Sequence, residues 1–138
     1  MDEQYEIVYT DEPAWDVIGP AINEYNDQQA GPQKGKMLCF VIRDPDQAVV
    51  GGVIAEMYWE WLCVHLIWIR EDLRHQGYGQ RLMASIEDEG RKRGAKYVHL
   101  DTFTFQAPDF YRKLGYQVFG ELKDCPAGHT RYYFTKPL

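Results

Sequence analysis

The chain has 138 residues, 45% of them apolar and 26% charged, the balance of a globular domain long enough to bury a core. A formal net charge of −6 argues against nucleic acid as the main partner, because phosphate binding needs a basic footprint; an acidic surface instead concentrates cationic amines. The cysteines Cys39, Cys63 and Cys125 have no spacing that suggests a disulfide framework or zinc, so no metal is expected.

The first residues are acidic, with no apolar signal region. No run reaches the ~18 apolar residues that cross a bilayer. The expectation is one cytoplasmic domain, residues 1–138, with no membrane partner. Tyr5 to Tyr9 reads as a short strand. Ala14 to Tyr25 reads as a helix, with Trp15, Ile18, Ile22 and Tyr25 at helical spacing and a kink or a break expected at Gly19-Pro20. Asn26 to Lys36 is polar and reads as a loop. Met37 to Arg43 and Ala48 to Trp59 form a hairpin around the turn Asp44-Pro45-Asp46-Gln47. Leu62 to Ile69 is almost wholly apolar, as in a central strand covered on both faces, and Cys39 and Cys63 in these runs read as buried thiols. Gly77 to Arg93 is a helix with Gly79, Leu82, Met83, Ile86 and Gly90 on one stripe and Gln80, Arg81, Glu87, Asp88 and Arg91 away from it. Gly94 stops it. Tyr97 to Phe103 follows as a strand, so strand, helix and strand make a parallel crossover. Pro108 to Leu114 is a short helix, and Tyr116 to Leu122 and Arg131 to Lys136 are final strands.

The segment from Ile69 to Gln80 joins the apolar strand to the amphipathic helix. Gly77 and Gly79 allow close approach of the backbone to a ligand. A helix start offers free N–H groups and the positive end of a dipole, which suits phosphate. The first turn carries no Asp or Glu, and Arg74 and Arg81 flank it. A dinucleotide fingerprint needs a third Gly where Leu82 stands, and a P-loop needs Gly-Lys-Ser/Thr where Gly79-Gln80-Arg81 stands. Neither fits.

Arg74-His75-Gln76-Gly77-Tyr78-Gly79 resembles the Arg/Gln-x-x-Gly-x-Gly/Ala motif of the GNAT superfamily of N-acetyltransferases. Downstream, Ala107-Pro-Asp-Phe110-Tyr111-Arg-Lys-Leu-Gly115-Tyr116 is similar to the family's second signature, at the expected separation. The resemblance covers roughly Met37 to the C-terminus. It implies a mixed α/β fold: a twisted sheet of six or seven strands, helices on both faces, and a central parallel pair that splays apart. It implies an enzyme that moves an acetyl group from acetyl-CoA to a primary amine by direct transfer in a ternary complex. Backbone groups of Gln76, Gly77, Tyr78, Gly79 and Gln80, with Arg74 and His75 beside them, would cradle the coenzyme A pyrophosphate. The backbone of Ile67, Trp68 and Ile69 would pair with the pantetheine arm as an added strand, and one N–H of that strand would polarise the thioester carbonyl. Thr104 stands where relatives often carry a pantetheine-binding Asn, with Gln106 nearby to replace it.

The resemblance makes Tyr111 the general acid, a phenol whose pKa of about 10 lies near that of an alkyl thiol. The base stays open among Glu56, Glu60, His65, Asp101 and a water chain, with His65 well matched to neutral pH. No Cys or Ser forms a nucleophile constellation. A non-catalytic acetyl-CoA-binding module is the alternative, and Tyr111, which a pure binder does not need, favours the enzyme. The acceptor is open, a small cationic amine fitting the charge. So is assembly: Tyr132-Tyr133-Phe134 serves equally as core or as a contact with a second copy of the chain.

Overall fold

A computed structural model describes residues 4–138. Contacts divide the chain into two units, residues 1–33 and 34–138. In the first, helix α1 spans Trp15–Ala30. The strand expected at Tyr5 to Tyr9 is absent, and those residues have no regular structure. Of the kink or break expected at Gly19-Pro20, the break is absent: Pro20 lies inside a continuous helix, where it has no N–H to donate to the preceding turn. The helix takes in five residues read as loop and stops at Gly31. That glycine adopts φ +88°, and its N–H donates to the Asp27 carbonyl at 2.9 Å. The stop is set by glycine's freedom to take a positive φ, not by the polarity of Asn26 and Asp27.

The second unit is a six-stranded sheet. The strands are β1 (Lys36–Arg43), β2 (Val49–Tyr58), β3 (Trp61–Ile69), β4 (Tyr97–Phe103), β5 (Gln117–Lys123) and β6 (Thr130–Pro137), in the order β1-β2-β3-β4-β6-β5. Helices α2 (Tyr78–Lys92) and α3 (Pro108–Lys113) complete it. The β1–β2 turn forms because the Asp44 carboxylate accepts the N–H groups of Asp46 and Ala48 at 2.9 and 3.0 Å. All neighbours are antiparallel except β3 and β4, the strands joined through α2. This is the mixed α/β sheet with a parallel pair that the sequence led us to expect.

Helix α2 lays Leu82, Met83 and Ile86 against Val53, Ala55, Leu62 and Val98, with Tyr111, Tyr116 and Phe134 closing the same core. Gly90 is needed there, since a Cβ would meet Leu62 Cδ2 at 3.1 Å.

Three burial expectations are corrected. Glu87 is buried, although its place on α2 reads as polar surface. Its carboxylate accepts from the Tyr116 hydroxyl at 2.9 Å and pairs with Lys136 Nζ at 2.7 Å, which offsets the cost of taking a charge out of water. Cys39 is exposed, because on β1 its neighbour Leu38 takes the inward position and strand residues alternate. Finally, β3 is covered only at its start: Leu66 and Trp68 are exposed.

Candidate active site

Strands β3 and β4 begin as neighbours and then part. Trp61, Leu62 and Cys63 pair with Tyr97, Val98 and His99, and no pairing follows. Beyond that point β4 keeps β6 as its partner as far as Phe103, and β3 keeps β2 as far as Ile69. The β4-facing edge of Val64 to Ile69 is therefore left open over about 20 Å of backbone. Ile67, Trp68 and Ile69, the residues expected to hold an extended arm, lie on it. An open strand edge presents unpaired N–H and C=O groups, which is what an added strand needs.

A β-bulge sits where the strands part. Ile54 pairs with Leu66 and Ala55 with Val64, so His65 is the extra residue of β3. The bulge aims the imidazole at β2, where Nε2 stands 3.2 Å from Glu56 Oε1. A carboxylate only accepts, so Nε2 carries the proton and Nδ1 is left as the basic atom. Cys63 Sγ lies 3.8 Å from that Nδ1. Burial, with Glu56 and Asp101 nearby, pushes the Cys63 thiol up to about 11.

The Gly-rich turn closes the far end of the slot. A single 3₁₀ turn, Glu71–Leu73, leads into it. His75 adopts φ +62° and Gly77 φ +86°. At Gly77 a Cβ would meet nothing within 4 Å, so the glycine answers to the left-handed backbone and not to crowding. The first hydrogen bond into α2 runs from Arg81 N–H to Gly77 O at 3.1 Å. The N–H groups of Tyr78, Gly79 and Gln80 precede it and have no intrahelical partner. No acidic residue occupies this first turn, leaving the dipole's positive end uncompensated. The Gln76 amide donates to Asp72 O at 3.0 Å and Arg74 Nε to Ile69 O at 2.8 Å, so both side chains brace the turn.

Gly79 is a packing glycine. A Cβ there would stand 3.3 Å from Phe110 Cζ, and Phe110 begins the pair that ends in Tyr111. The close approach thus seats α3 against the start of α2. Tyr111 is buried among Phe110, Tyr116 and Phe134. Burial and the Asp101 carboxylate push its phenol up to about 12. Its hydroxyl makes no hydrogen bond to the described residues, yet no buried polar atom among them is left unpartnered. The hydroxyl therefore keeps an opening to solvent.

Thr104 Oγ1 lies 3.0 Å from His129 Nδ1 and accepts the Thr130 N–H at 3.3 Å, which ties the end of β4 to the β5–β6 loop. Gln106 Oε1 accepts from Phe103 N–H and Thr102 Oγ1. Of the carboxylates weighed as bases, Asp101 is held by Arg131 at 2.8 Å and Glu60 by Lys96 at 3.1 Å. Glu56 has His65 as its ion-pair partner among the described residues. The sequence hid this dyad, because the bulge that brings the two together is a property of strand pairing.

Residues 2–116 match the family model for the Acetyltransferase (GNAT) family. The chain is 35% identical to the blasticidin-S acetyltransferase of Streptomyces morookaense over 91 residues, 65% of this chain and 67% of that protein. It is 31% identical to an acetyltransferase of Agrobacterium fabrum over 112 residues, 81% of this chain and 82% of that one. The crystal structure of an acetyltransferase from Bacillus cereus superposes with a TM-score of 0.89 at 31% identity, over 97% of this chain and 98% of the other. With a parallel strand pair that parts beside a Gly-rich helix start, and with these similarities over most of its length, the chain belongs to the GNAT acetyltransferase family and is an acyltransferase.

Proposed function

We propose that the chain transfers an acetyl group from acetyl-CoA directly to the primary amine of a small cationic acceptor. The observation that carries this reading is the open edge of β3 running into the free N–H groups at the start of α2. An edge that pairs with an extended amide chain and a helix start that takes phosphate together match the two halves of coenzyme A. Gln76 to Gln80 bind its pyrophosphate, and Ile67 to Ile69 pair with its pantetheine arm. A β3 N–H at the bulge donates to the thioester oxygen as negative charge develops there.

His65 Nδ1 takes a proton from the acceptor ammonium, with Glu56 fixing the tautomer. The neutral amine adds to the thioester carbonyl carbon. As the tetrahedral centre collapses, the carbon–sulfur bond breaks and the Tyr111 phenol gives its proton to the departing thiolate; the proton that the acylated nitrogen sheds restores the phenol, and His65 releases its own to solvent. Direct transfer is favoured over an acyl-cysteine, because a Cys63 thiol raised to about 11 is a thiolate in only about one part in 10⁴ at neutral pH. A relative that acetylates blasticidin S supports a small-molecule acceptor.

Calorimetric titration with acetyl-CoA tests the donor site. Binding should be saturable in the native chain and lost in Gly77→Glu, where a side chain would strain a φ of +86° and set a carboxylate against the pyrophosphate. Absence of binding to the native chain overturns the reading. Tyr111→Phe should lower kcat by roughly 10²–10⁴ with acetyl-CoA affinity unchanged. A variant at full rate would remove Tyr111 as the acid and point to another proton donor.

A further inference from the structure

The sheet face that α2 does not cover carries a second recess. Tyr58, Trp59, Trp61, His99, Phe119 and Thr135 line a cavity of about 450 Å³, within the range of small-molecule sites. Nearly all of that wall is aromatic, and neighbouring rings stand steeply to one another. Tyr58 and His99 meet at 79°, Tyr58 and Trp59 at 70°, and Trp61 and His99 at 66°. Parallel walls would make a slot for a flat ring, whereas steeply inclined walls make a box, here open on one side to solvent, for a compact group. The box is braced. The Tyr58 hydroxyl and His99 Nε2 are 2.6 Å apart, and Trp61 stacks on Tyr97 with centroids 4.9 Å apart.

The charges around it select the sign of the occupant. Asp101 is neutralised by Arg131 and Glu60 by Lys96, but among the described residues Glu56 pairs with His65 and with no Lys or Arg. Burial holds the His99 imidazole below its ordinary range, so the ring in the wall is neutral and does not repel a cation. Aromatic faces attract cations, most strongly when several surround a desolvated one. Position supplies the link to the chemistry. Tyr58 and Glu56 lie two residues apart on β2, as do Trp61 and Cys63 on β3. The box therefore stands about 7 Å along the strands from the Glu56–His65 pair.

We propose that this aromatic box binds a compact alkylammonium group of the acceptor, so that the acceptor is a small dication with its reacting primary amine at His65. The proposal rests on the acetyltransferase reading for the role of His65, but the cation site itself stands apart from the donor site. The probes are tetramethylammonium and its neutral analogue of similar size, neopentyl alcohol, titrated calorimetrically into the full chain without acetyl-CoA.

Tetramethylammonium should bind saturably and the alcohol roughly tenfold more weakly, the advantage of a caged cation. Trp61→Leu and Phe119→Ala should each weaken tetramethylammonium by a similar factor. Their acetyl-CoA isotherms should match the native one, which also shows that they fold. Equal affinity for the two probes, cation binding untouched by both substitutions, or no saturable binding of tetramethylammonium each overturns the proposal. Loss of acetyl-CoA binding by the native chain would overturn the donor reading and leave the cation result standing. In turnover with an alkylated diamine, the two variants should raise KM with kcat near native.

Discussion

Three side chains around the β3 bulge carry the residue-scale question. Cys63, His65 and Glu56 line up as thiol, imidazole and carboxylate at 3.8 and 3.2 Å, the order of an acyl-cysteine enzyme. The environment decides against that role. Desolvation and the charges of Glu56 and Asp101 raise the Cys63 thiol, and the same Glu56 holds the His65 ring by its Nε2. Cys63→Ala should keep kcat within a few-fold, while His65→Gln should lower it by roughly 10²-fold and remove the acid limb of the pH–rate profile. Steady-state kinetics across pH checks both. Loss of activity in Cys63→Ala, with a trapped acetyl thioester on the native protein, would replace direct transfer by a two-step route.

At the scale of elements, the site depends on how α2 and α3 are held. Glu87 links them: its carboxylate takes the Tyr116 hydroxyl just after α3 and Lys136 from β6, and Lys136 also donates to Leu114 O at 3.0 Å. Removing one partner of a buried charge costs more than the bond itself contributes. Tyr116→Phe should destabilise the fold by about 1–3 kcal/mol, measured by denaturant unfolding. Because Tyr116 packs edge-to-face against Tyr111 with centroids 5.8 Å apart, we expect kcat to fall as well, though by less than in Tyr111→Phe. The elements themselves were largely legible in sequence, and β4 begins and ends where its pattern does. What stayed hidden was Glu87. Its helical position reads as surface, and partners from later in the chain, the Tyr116 hydroxyl and Lys136, make its burial tolerable.

At the scale of the molecule, several buried or half-buried weak acids are held in their neutral form. Tyr111 is raised to about 12 and Cys63 to about 11, and Tyr58 and Tyr116 are raised as well. Unfolded, these groups titrate near 10.0 for tyrosine and 9.0 for cysteine. Between the unfolded and folded values the unfolded chain binds fewer protons, so stability falls as pH rises. It should therefore be flat in these groups below pH 9, decline from there, and continue to decline through about pH 12. Tyr111→Phe should decline less steeply above pH 10. Denaturant midpoints along an alkaline series read both, and an unchanged slope in the variant would show that Tyr111 titrates normally.

The sequence by itself determined what depends on neighbours in the chain. The Gly-rich turn between Ile69 and Gln80, the stripe of α2, the Pro108 helix with Tyr111, and hence the family resemblance, all follow from local spacing and backbone freedom. Only the tertiary structure decided what depends on strand register. A one-residue bulge set His65 against Glu56, the parting of β3 from β4 after Cys63 and His99 opened the slot, and pairing of β2, β3, β4, β5 and β6 gathered rings from Tyr58 to Phe119 into one box. The physical reason is range. Turns and helices are set by contacts within a few residues, whereas a register is chosen by the burial of a whole sheet face, and no short stretch of chain contains it.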